Sequence, residues 1–355
     1  MPSLPLTSPP ESLCILRLSA IGDISHTLPT VRTLQARWPD TRLTWIIGKT
    51  EHALVGDIPG IDFIIFDKKR GWRAYLDVRR QLRGRRFDAL LHMQMALRAS
   101  FISLLVDAPI KLGFDRARAK DGQWLFTNAK IAPREREHVL DSLYGFSDAL
   151  GATNRVLRWD IPIPATAHAY AEQLLPGTQP TLLISPCSSM AYRNWTAAGY
   201  AAVADYAIEH LGMRVVLSGG PSALEREYGA AIEQQMRHTP VNAIGQTGLK
   251  QLLALLQRSA AVLSPDAGPA HLATAVGTPV IGLYACTNPD RARPYLSAAW
   301  TVNRYNEAVQ AHYGKLPAQL SWGTRVKKPQ AMSLITTAEV IQKLSSLLAA
   351  SNTPA

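Results

Sequence analysis

The stretch from residue 261 to residue 286, AVLSPDAGPAHLATAVGTPVIGLYAC, constrains the fold more than any other part of the chain. It begins with a short apolar run, AVLS, and ends with another, PVIGLYA, and both are typical of buried strands. The turn residues SPDAGP separate the first run from AHLATAV, which has the length of a short helix and ends at Gly277. Strand, loop, helix and strand in this order predict a βαβ unit, and hence a parallel sheet.

The first loop of this unit is predicted to lie where ligands bind. In open α/β folds such a loop lies at the carboxyl edge of the sheet and at the amino end of a helix, whose free N–H groups favour phosphate. Asp266 and His271 would both face that crevice. A second interpretation stays open from these residues alone, in which Asp266 caps the helix and His271 lies on its surface.

The same alternation of apolar strands and helices runs through both halves of the chain. Predicted strands include LCILRLS, RLTWIIG, FIIFD and ALLHMQ in the first half, and TLLISP and RVVLSGG in the second. The pattern predicts an α/β fold class with two Rossmann-like, doubly wound domains facing a cleft. The proline-rich segment DIPIPATAHAY, residues 160–170, interrupts the alternation and is the predicted linker.

Chain length also supports two domains, because 355 residues exceed the usual size of one hydrophobic core. We expect a flexible N-terminal tail at residues 1–12, a first domain at 13–165, a second domain at 166–330 and a C-terminal helical segment at 331–355. The helix in that last segment, TTAEVIQKLSSLLAA, has amphipathic spacing, and we expect it to pack back on the first domain.

Composition narrows the class of protein. With 47% hydrophobic and 18% charged residues the chain can fill two cores, and no apolar run approaches the roughly 20 residues of a membrane helix. The first residues, MPSLPLTSPPES, lack the basic and apolar regions of a signal peptide, so we expect a cytoplasmic protein. Cys14, Cys187 and Cys286 are far apart and strand-like in context, which predicts buried thiols rather than disulfides or a zinc site.

The formal net charge of +11 indicates an anionic partner: a nucleic acid, a membrane surface or a phosphorylated substrate. Two basic stretches of the first half, KKRGWR and KLGFDRARAK, precede or follow predicted strands and predict an anion-binding rim. Its candidate residues are Lys68, Lys69, Arg70 and Arg73 in the first stretch, and Arg116, Arg118 and Lys120 in the second.

The turn after the first predicted strand contains Gly22 and Asp23. With one glycine it is not the G-x-G-x-x-G fingerprint, which disfavours a nicotinamide cofactor. Asp23 either caps the following helix or reaches across a crevice towards a second domain, and these residues alone leave both interpretations open.

Loops after the strands of the second half carry the parts of a nucleotide-sugar site. Arg193 can bind a diphosphate bidentately, Glu225 can accept hydrogen bonds from a ribose, and Asp266 can accept them from a sugar. Ser188 and Ser189 add hydroxyls, and backbone amides near Gly268 add N–H donors. No closely spaced set of His, Cys or carboxylate residues indicates a bound metal.

Several of these motifs together resemble one family. They are S-x-x-G-D followed by HTLP from Ser19, R-x-W at Arg193, the GGP loop at Gly219, and D-x-G-x-x-H-x-A-x-A-x-G-x-P from Asp266. In combination they resemble the ADP-heptose:lipopolysaccharide heptosyltransferases of glycosyltransferase family 9, from about residue 13 to about residue 295. The stretch LGFDRARAKDGQWLF is similar to the acceptor-side loop of heptosyltransferase I.

The resemblance implies a GT-B fold whose N-terminal domain binds the acceptor and whose C-terminal domain binds the nucleotide sugar. The donor would be ADP-L-glycero-D-manno-heptose and the acceptor Kdo-lipid A, at the cytoplasmic face of the inner membrane, which the enzyme would contact peripherally. The reaction would invert the anomeric carbon without a metal or any other cofactor. No nucleic acid partner is expected, because no nucleic-acid-binding module is present.

The resemblance also assigns roles to residues. Asp23 would be the general base, Asp266 would contact the donor sugar, and Ala267, Gly268 and His271 would contact the donor phosphates. Apart from the resemblance, we expect the charge of Arg193 to stabilise the departing ADP. Many family members have lysine at that position, and arginine keeps the charge with a different geometry.

Two rival functions fit parts of the pattern. Another GT-B sugar-nucleotide enzyme, either a transferase of a different sugar or a UDP-sugar 2-epimerase, would share the architecture without needing a lipid-facing basic rim. A nucleic-acid-binding protein is suggested by charge alone, and its signature would be aromatic residues interleaved with the basic ones.

Overall fold

The computed structural model describes residues 4–351, which form two compact units that divide between Pro162 and Ile163. Each unit contains a six-stranded parallel sheet with helices between its strands. Apolar strands of this kind need helical crossovers, which cover both faces of the sheet. The predicted alternation of strands and helices is therefore confirmed in both halves.

The first unit has strand order β3-β2-β1-β4-β5-β6. Its strands are β1 Ser12–Leu16, β2 Arg42–Gly48, β3 Ile61–Phe66, β4 Ala89–His92, β5 Ile110–Gly113 and β6 Ala129–Lys130. Its helices are α1 Ile21–Arg37, α2 Lys49–Val55, α3 Arg73–Leu82, α4 Leu97–Ser103 and α5 Val139–Leu150.

The second unit has order β12-β11-β10-β7-β8-β9, which is the same topology read from the other edge. Its strands are β7 Thr181–Ile184, β8 Arg214–Leu217, β9 Val241–Asn242, β10 Ala261–Pro265, β11 Val280–Tyr284 and β12 Val302–Asn303. Its helices are α6 Ala165–Leu174, α7 Ala197–Leu211, α8 Ala223–Glu233, α9 Leu249–Arg258, α10 Gly268–Ala275, α11 Pro289–Ala292, α12 Tyr305–Tyr313 and α13 Thr337–Ser351.

In each sheet the order of the strands reverses direction at one place. This place lies between β1 and β4 in the first unit and between β7 and β10 in the second. At such a switch point the connections leave to opposite sides, and a crevice opens at the carboxyl ends of the strands. Gly48 shows how tightly the first crevice is built. Its N–H donates to Leu18 O at 2.9 Å, and a Cβ there would lie 2.4 Å from the same oxygen.

The N-terminal stretch differs from the predicted flexible tail. Residues 1–3 lie outside the described part, but beyond them the Leu6 N–H donates to Leu150 O at 3.1 Å and the Arg42 N–H to Glu11 O at 2.9 Å. The second bond continues the β1–β2 pairing beyond the first residue of β1. Backbone pairing of this kind, which apolar periodicity does not reveal, holds the stretch against the first unit.

The division between units falls inside the predicted linker, 160–170. A boundary after residue 165 would separate the first residue of α6 from its helix. The Arg32 guanidinium donates to the carbonyls of Trp159 and Asp160, and Trp159 Nε1 donates to Ser25 O at 2.9 Å. These bonds attach the end of the first unit to α1.

The last helix, α13, was expected to pack on the first domain, but its buried face packs within the second unit. Val340, Leu344 and Leu347 are almost fully buried in the same core cluster as residues of β11 and α7. The apolar stripe was visible in the sequence, whereas its partner depends on where the chain runs after α12.

Among residues 4–351, no helix is both long enough and apolar enough to cross a membrane. The three cysteines are free and buried, as predicted.

The tryptophan of the R-x-W motif is a core residue. Trp195 is almost fully buried and its Nε1 donates to Ile335 O at 3.0 Å.

We predict that Trp195→Ala lowers the free energy of unfolding by about 3–5 kcal/mol, because it leaves a cavity and an unpaired carbonyl. Urea unfolding of the full chain measures this. The matched control, Trp72→Ala, removes a 68% exposed indole and should change stability by less than about 0.5 kcal/mol; equal effects would contradict the assignment.

Candidate functional site

The candidate base, Asp23, lies in the first turn of α1, directly after β1. Its Oδ2 accepts a hydrogen bond from the Ala20 N–H at 3.1 Å and lies 2.8 Å from Arg17 Nη2. The Asp23 side chain is 40% exposed, whereas that of Arg17 is 10% exposed. The carboxylate therefore caps the helix and remains open to solvent, and its role towards a second domain stays a prediction.

Sequence reasoning missed Arg17, although a single cation at the end of an apolar strand was a visible signal. Arg17 Nη1 donates to Met93 O, and Trp45 Nε1 donates to Arg17 O at 3.1 Å. Gln94 also joins the ends of β1 and β4, since its Oε1 accepts from the Leu18 N–H at 2.7 Å. The ion pair is therefore anchored at the switch point of the first sheet.

A second carboxylate, Glu51, lies near Asp23 at the start of α2. Burial raises the pKa of Glu51 above its usual value, the charge of Asp23 adds to the rise, and Lys68 opposes it. The predicted rim residue Lys68 and the candidate base Asp23 therefore both act on the Glu51 carboxylate. Sequence reasoning missed Glu51, because no motif marks it and its proximity to Asp23 depends on the fold.

The first basic stretch is exposed beyond the end of β3. Arg70 Nε pairs with Asp77 Oδ2 at 3.0 Å, whereas Lys69 and Arg73 form no ion pair within residues 4–351. The Arg73 guanidinium lies 5.9 Å from the centre of the exposed Trp72 ring. Lys69 and Arg73, together with the exposed Lys68, are thus the cations of this stretch open to an anionic ligand.

The second basic stretch divides into two kinds of residue. Arg116 and Lys120 are exposed, and the Arg116 guanidinium stacks 3.8 Å from the centre of the Trp124 ring. Arg118 instead binds internally to the Asp115 carboxylate, to Glu137 Oε2 at 3.0 Å and to Ala132 O at 2.6 Å. The contribution of Arg118 to an acceptor-binding rim was a prediction that this structure does not favour, because its donors are already used.

In the second unit, the fold brings Arg193 and Asp266 together. Arg193 Nη1 lies 3.0 Å from Asp266 Oδ2 and donates to the Asp266 carbonyl at 3.2 Å. Both side chains are about one-eighth exposed, at 12% each. Burial alone would raise the pKa of Asp266, but the adjacent His271 and Arg193 outweigh it and hold that pKa below its usual value.

His271 is buried in α10 rather than exposed on its surface, and its Nε2 lies 3.8 Å from Asp266 Oδ1. Ala267 is the N-cap residue of α10 and Gly268 is its first residue, so free N–H groups of the helix start beside Asp266. The structure therefore brings Asp266, Ala267, Gly268, His271 and Arg193 into one cluster.

Glu225 has a local role that the sequence only partly indicated. Its Oε1 accepts from the Gly220 N–H at 2.8 Å, and its Oε2 accepts from the hydroxyl of Ser222, the N-cap residue of α8, at 2.7 Å. Burial raises the pKa of Cys187 to about 12, and the charge of Glu225 adds to this, so the carboxylate lies near the loop after β7. Ser188 in that loop is buried, and its N–H donates to Asn194 Oδ1 at 2.8 Å, whereas Ser189 is exposed.

Comparison with known proteins identifies the chain. The model of the family described as glycosyltransferase family 9 (heptosyltransferase) matches residues 75–318. The chain belongs to this family. It is also 43% identical over 341 residues to the lipopolysaccharide core heptosyltransferase OpsX of Haemophilus influenzae, covering 96% of this chain and 98% of that protein.

Solved structures share the fold of this heptosyltransferase. The family 9 glycosyltransferase of Veillonella parvula has a TM-score of 0.79 at 22% identity, covering 96% of this chain and 97% of that one. The E. coli heptosyltransferase WaaC with ADP-2-deoxy-2-fluoro heptose has a TM-score of 0.66 at 17% identity, covering 94% of this chain and 99% of that one. The predicted GT-B class with two Rossmann-like domains is confirmed. The family match and the 43% identical heptosyltransferase, not the fold, set aside the epimerase alternative.

This heptosyltransferase has a further feature beside Asp266 that sequence reasoning missed. A small cavity is lined by Asp266, by Thr287, Asn288, Arg291 and Ala292, and by residues 322–325. The run TNPDR begins at Thr287, shortly after β11 ends at Tyr284. Its position at the carboxyl edge of the sheet could therefore have been predicted from the sequence. The segment 322–325 was not, because its approach to Asp266 depends on the antiparallel bridge between Thr287 and Arg325.

Within residues 4–351, no group of three or more His, Cys, Asp or Glu side chains is placed to hold a metal ion.

The buried Arg193–Asp266 pair predicts a defined stability change. Arg193→Met should lower the free energy of unfolding by about 3–5 kcal/mol at neutral pH, because it leaves a buried carboxylate uncompensated, and adding Asp266→Asn should recover most of the loss. Urea unfolding of the full-length single and double variants measures this. Arg86→Met, which removes the partner of Asp107 from an ion pair whose two side chains are both exposed, is the matched control and should cost at most about 1 kcal/mol.

The sign of the pH dependence follows from the lowered pKa of Asp266. Stability from this group is present above the unfolded-state pKa, about 3.9, and is lost as the pH falls through the lower folded-state value. Without Arg193, burial acts more strongly on the pKa of Asp266 and raises it, so Arg193→Met should lose less stability than wild type as the pH falls below about 4, and its deficit relative to wild type should narrow. An unchanged acid profile, or a double variant no more stable than Arg193→Met, would contradict the coupling.

Proposed function

We propose that this heptosyltransferase transfers heptose from ADP-L-glycero-D-manno-heptose to a Kdo residue of the lipopolysaccharide inner core, Kdo-lipid A, by an inverting reaction that needs no metal. The observation that carries the mechanism is the half-open carboxylate of Asp23, held by Arg17 at the switch point of the first sheet. The 43% identical relative, named as a lipopolysaccharide core heptosyltransferase, supports the substrate class.

The first step is removal of a proton. The Asp23 carboxylate accepts the proton of an acceptor hydroxyl while that oxygen attacks the anomeric carbon of the heptose. Within the described residues the contacts of Asp23 are made by Oδ2, so Oδ1 is available to the hydroxyl. Arg17 Nη2, 2.8 Å from Oδ2, holds the carboxylate in place at the end of β1.

The bond between the anomeric carbon and the diphosphate oxygen breaks in the same step, and ADP departs as an anion. The N–H groups at the start of α10 and the guanidinium of Arg193 are suited to stabilise that charge. Arg193 Nε is buried without a hydrogen-bond partner in the described chain, so a phosphate oxygen would satisfy it. Attack and departure on opposite sides of the carbon produce inversion.

The reaction requires Asp23 to come within hydrogen-bond distance of a hydroxyl that faces the donor. Asp266 would then contact the heptose, and Glu225 would hold the GGP loop that approaches the ribose. This division assigns the acceptor to the first domain, 13–165, and the donor to the second, 166–330. Domain closure of the kind common in such enzymes would bring the two substrates together.

ADP release from ADP-heptose in the presence of a chelator tests the function directly. The wild-type enzyme should release ADP only when Kdo-lipid A is added. We predict that Asp23→Asn lowers turnover by about 10²–10⁴-fold and leaves donor affinity unchanged, because an amide cannot take the proton. Asp40→Asn, an exposed change in the same unit, is the control and should keep full turnover. Wild-type turnover in a folded Asp23→Asn variant would refute the role.

The exposed cations next to Trp72 predict how the acceptor binds. Its phosphates and Kdo carboxylate would meet Lys69 and Arg73, with Lys68, Arg116 and Lys120 contributing to the same rim. Lys69→Glu with Arg73→Glu should raise the acceptor KM about tenfold or more, because attraction becomes repulsion, and leave the Kd for ADP-heptose unchanged.

The control is Arg79→Glu with Arg83→Glu, which makes the same change in net charge at exposed positions near the other end of α3. It should change the acceptor KM much less. Weaker donor binding in the Lys69 and Arg73 variant, or an equal KM change in the control, would refute this division of labour.

A further inference from the structure

Helix α4 is apolar on its outer face as well as its inner one. Ala99 and Ile102 are fully buried, whereas Leu97, Phe101 and Leu104 are 50%, 51% and 59% exposed. Positions i, i+4 and i+7 lie on one side of a helix, so these three side chains form a continuous exposed row. A soluble helix normally places polar residues there, and the row therefore indicates a partner.

A neighbouring turn extends this row. The 3₁₀ turn Gln123–Leu125 exposes 76% of Leu125, and the ring of Phe126 packs edge-to-face on Phe101 with 5.9 Å between centres. The fully buried Gln123 side chain fixes the turn, since its Nε2 donates to His92 O at 2.8 Å. We name Leu97, Phe101, Leu104, Leu125 and Phe126 the apolar patch.

Cations accompany the apolar patch. Arg98 follows Leu97 directly and is exposed, and Arg116 stacks on Trp124, the residue before Leu125. Lys120 lies at the start of the same turn, where its carbonyl accepts from the Gln123 N–H at 3.1 Å. Within residues 4–351, Arg98, Arg116 and Lys120 form no ion pair, and Asp121 is the one acid of the segment 120–126.

We propose that the apolar patch, with Arg98, Arg116 and Lys120, docks the enzyme on the surface of an anionic lipid bilayer. Exposed leucine and phenylalanine side chains enter the boundary between headgroups and acyl chains, and nearby cations gain from the negative surface potential. This deepens the proposed function and rests on it, because a lipid-linked acceptor is presented at such a surface. Unpaired cations beside an apolar row favour an anionic bilayer over an apolar protein partner.

Vesicle sedimentation tests this inference without any acceptor sugar. The full-length enzyme should bind vesicles of phosphatidylethanolamine and phosphatidylglycerol, and bind pure phosphatidylcholine vesicles more weakly. Leu97→Gln with Phe101→Gln should reduce binding about tenfold or more, because two apolar side chains no longer enter the boundary. Arg98→Gln should reduce binding to the anionic vesicles by about fivefold and leave binding to phosphatidylcholine unchanged.

The matched control is Leu224→Gln with Leu316→Gln, which changes two exposed leucines of the second unit and should keep wild-type binding. Circular dichroism and an unchanged unfolding midpoint establish that each variant is folded. The Leu97 and Phe101 variant should also keep wild-type activity on detergent-dispersed Kdo-lipid A. If the Leu97 and Phe101 variant loses vesicle binding but the wild-type enzyme is inactive on detergent-dispersed Kdo-lipid A, the proposed acceptor is wrong and the docking surface stands.

Three results would overturn the docking surface. The first is a wild-type enzyme that binds neither kind of vesicle. The second is a Leu97 and Phe101 variant that binds vesicles as well as wild type. The third is a Leu97 and Phe101 variant that differs from wild type only in its oligomeric state, as measured by sedimentation velocity. The last result would identify the patch as a contact between copies of the chain.

Discussion

Parallel pairing of buried strands is the constraint on which the rest of this structure depends. A parallel sheet cannot close with tight hairpins, so each strand is followed by a crossover, and all carboxyl ends meet at one edge. In both units the order reverses between the first and fourth strands, which opens a crevice at that edge. Asp23 follows β1 and Asp266 follows β10, so each candidate carboxylate lies at a switch point because of the topology and not because of any motif.

At each switch point an arginine meets the aspartate, and burial distinguishes the two pairs. Arg17 holds Asp23 at 2.8 Å with the carboxylate 40% exposed, while Arg193 holds Asp266 at 3.0 Å with only 12% of it exposed. An exposed carboxylate can exchange a proton with a bound hydroxyl. A buried, paired carboxylate with a lowered pKa stays ionised and fixed in place, which suits a group that orients a sugar. The same chemistry thus supports different roles in the two domains.

In the two basic stretches of the first unit, the cations available to an anionic ligand are those without an ion-pair partner. The net charge of +11 does not identify them. Arg118 and Arg70 are used internally, and their attraction for an outside anion is reduced by their own carboxylate partners. Lys69 and Arg73 lie beside Trp72, and Arg116 and Lys120 lie beside the apolar patch. Exposed aromatic or aliphatic side chains next to free cations are a combination suited to an amphiphilic substrate, whose anionic sugar and lipid parts need different contacts.

The sequence by itself determined the alternation of strands and helices, the two-domain class, the family and the loops that carry Asp23, Arg193 and Asp266, because apolar periodicity and short motifs depend on residues close in the chain. Tertiary structure alone decided which groups meet across long separations. Gln94 reaches Leu18, residues 322–325 approach Asp266, and α13 packs on α7. It also decided that Arg118 is internally paired and that one face of α4 stays exposed. The apolar periodicity of a segment predicts which of its side chains are buried. Which residues those side chains contact is decided only when segments distant in the sequence pack against each other.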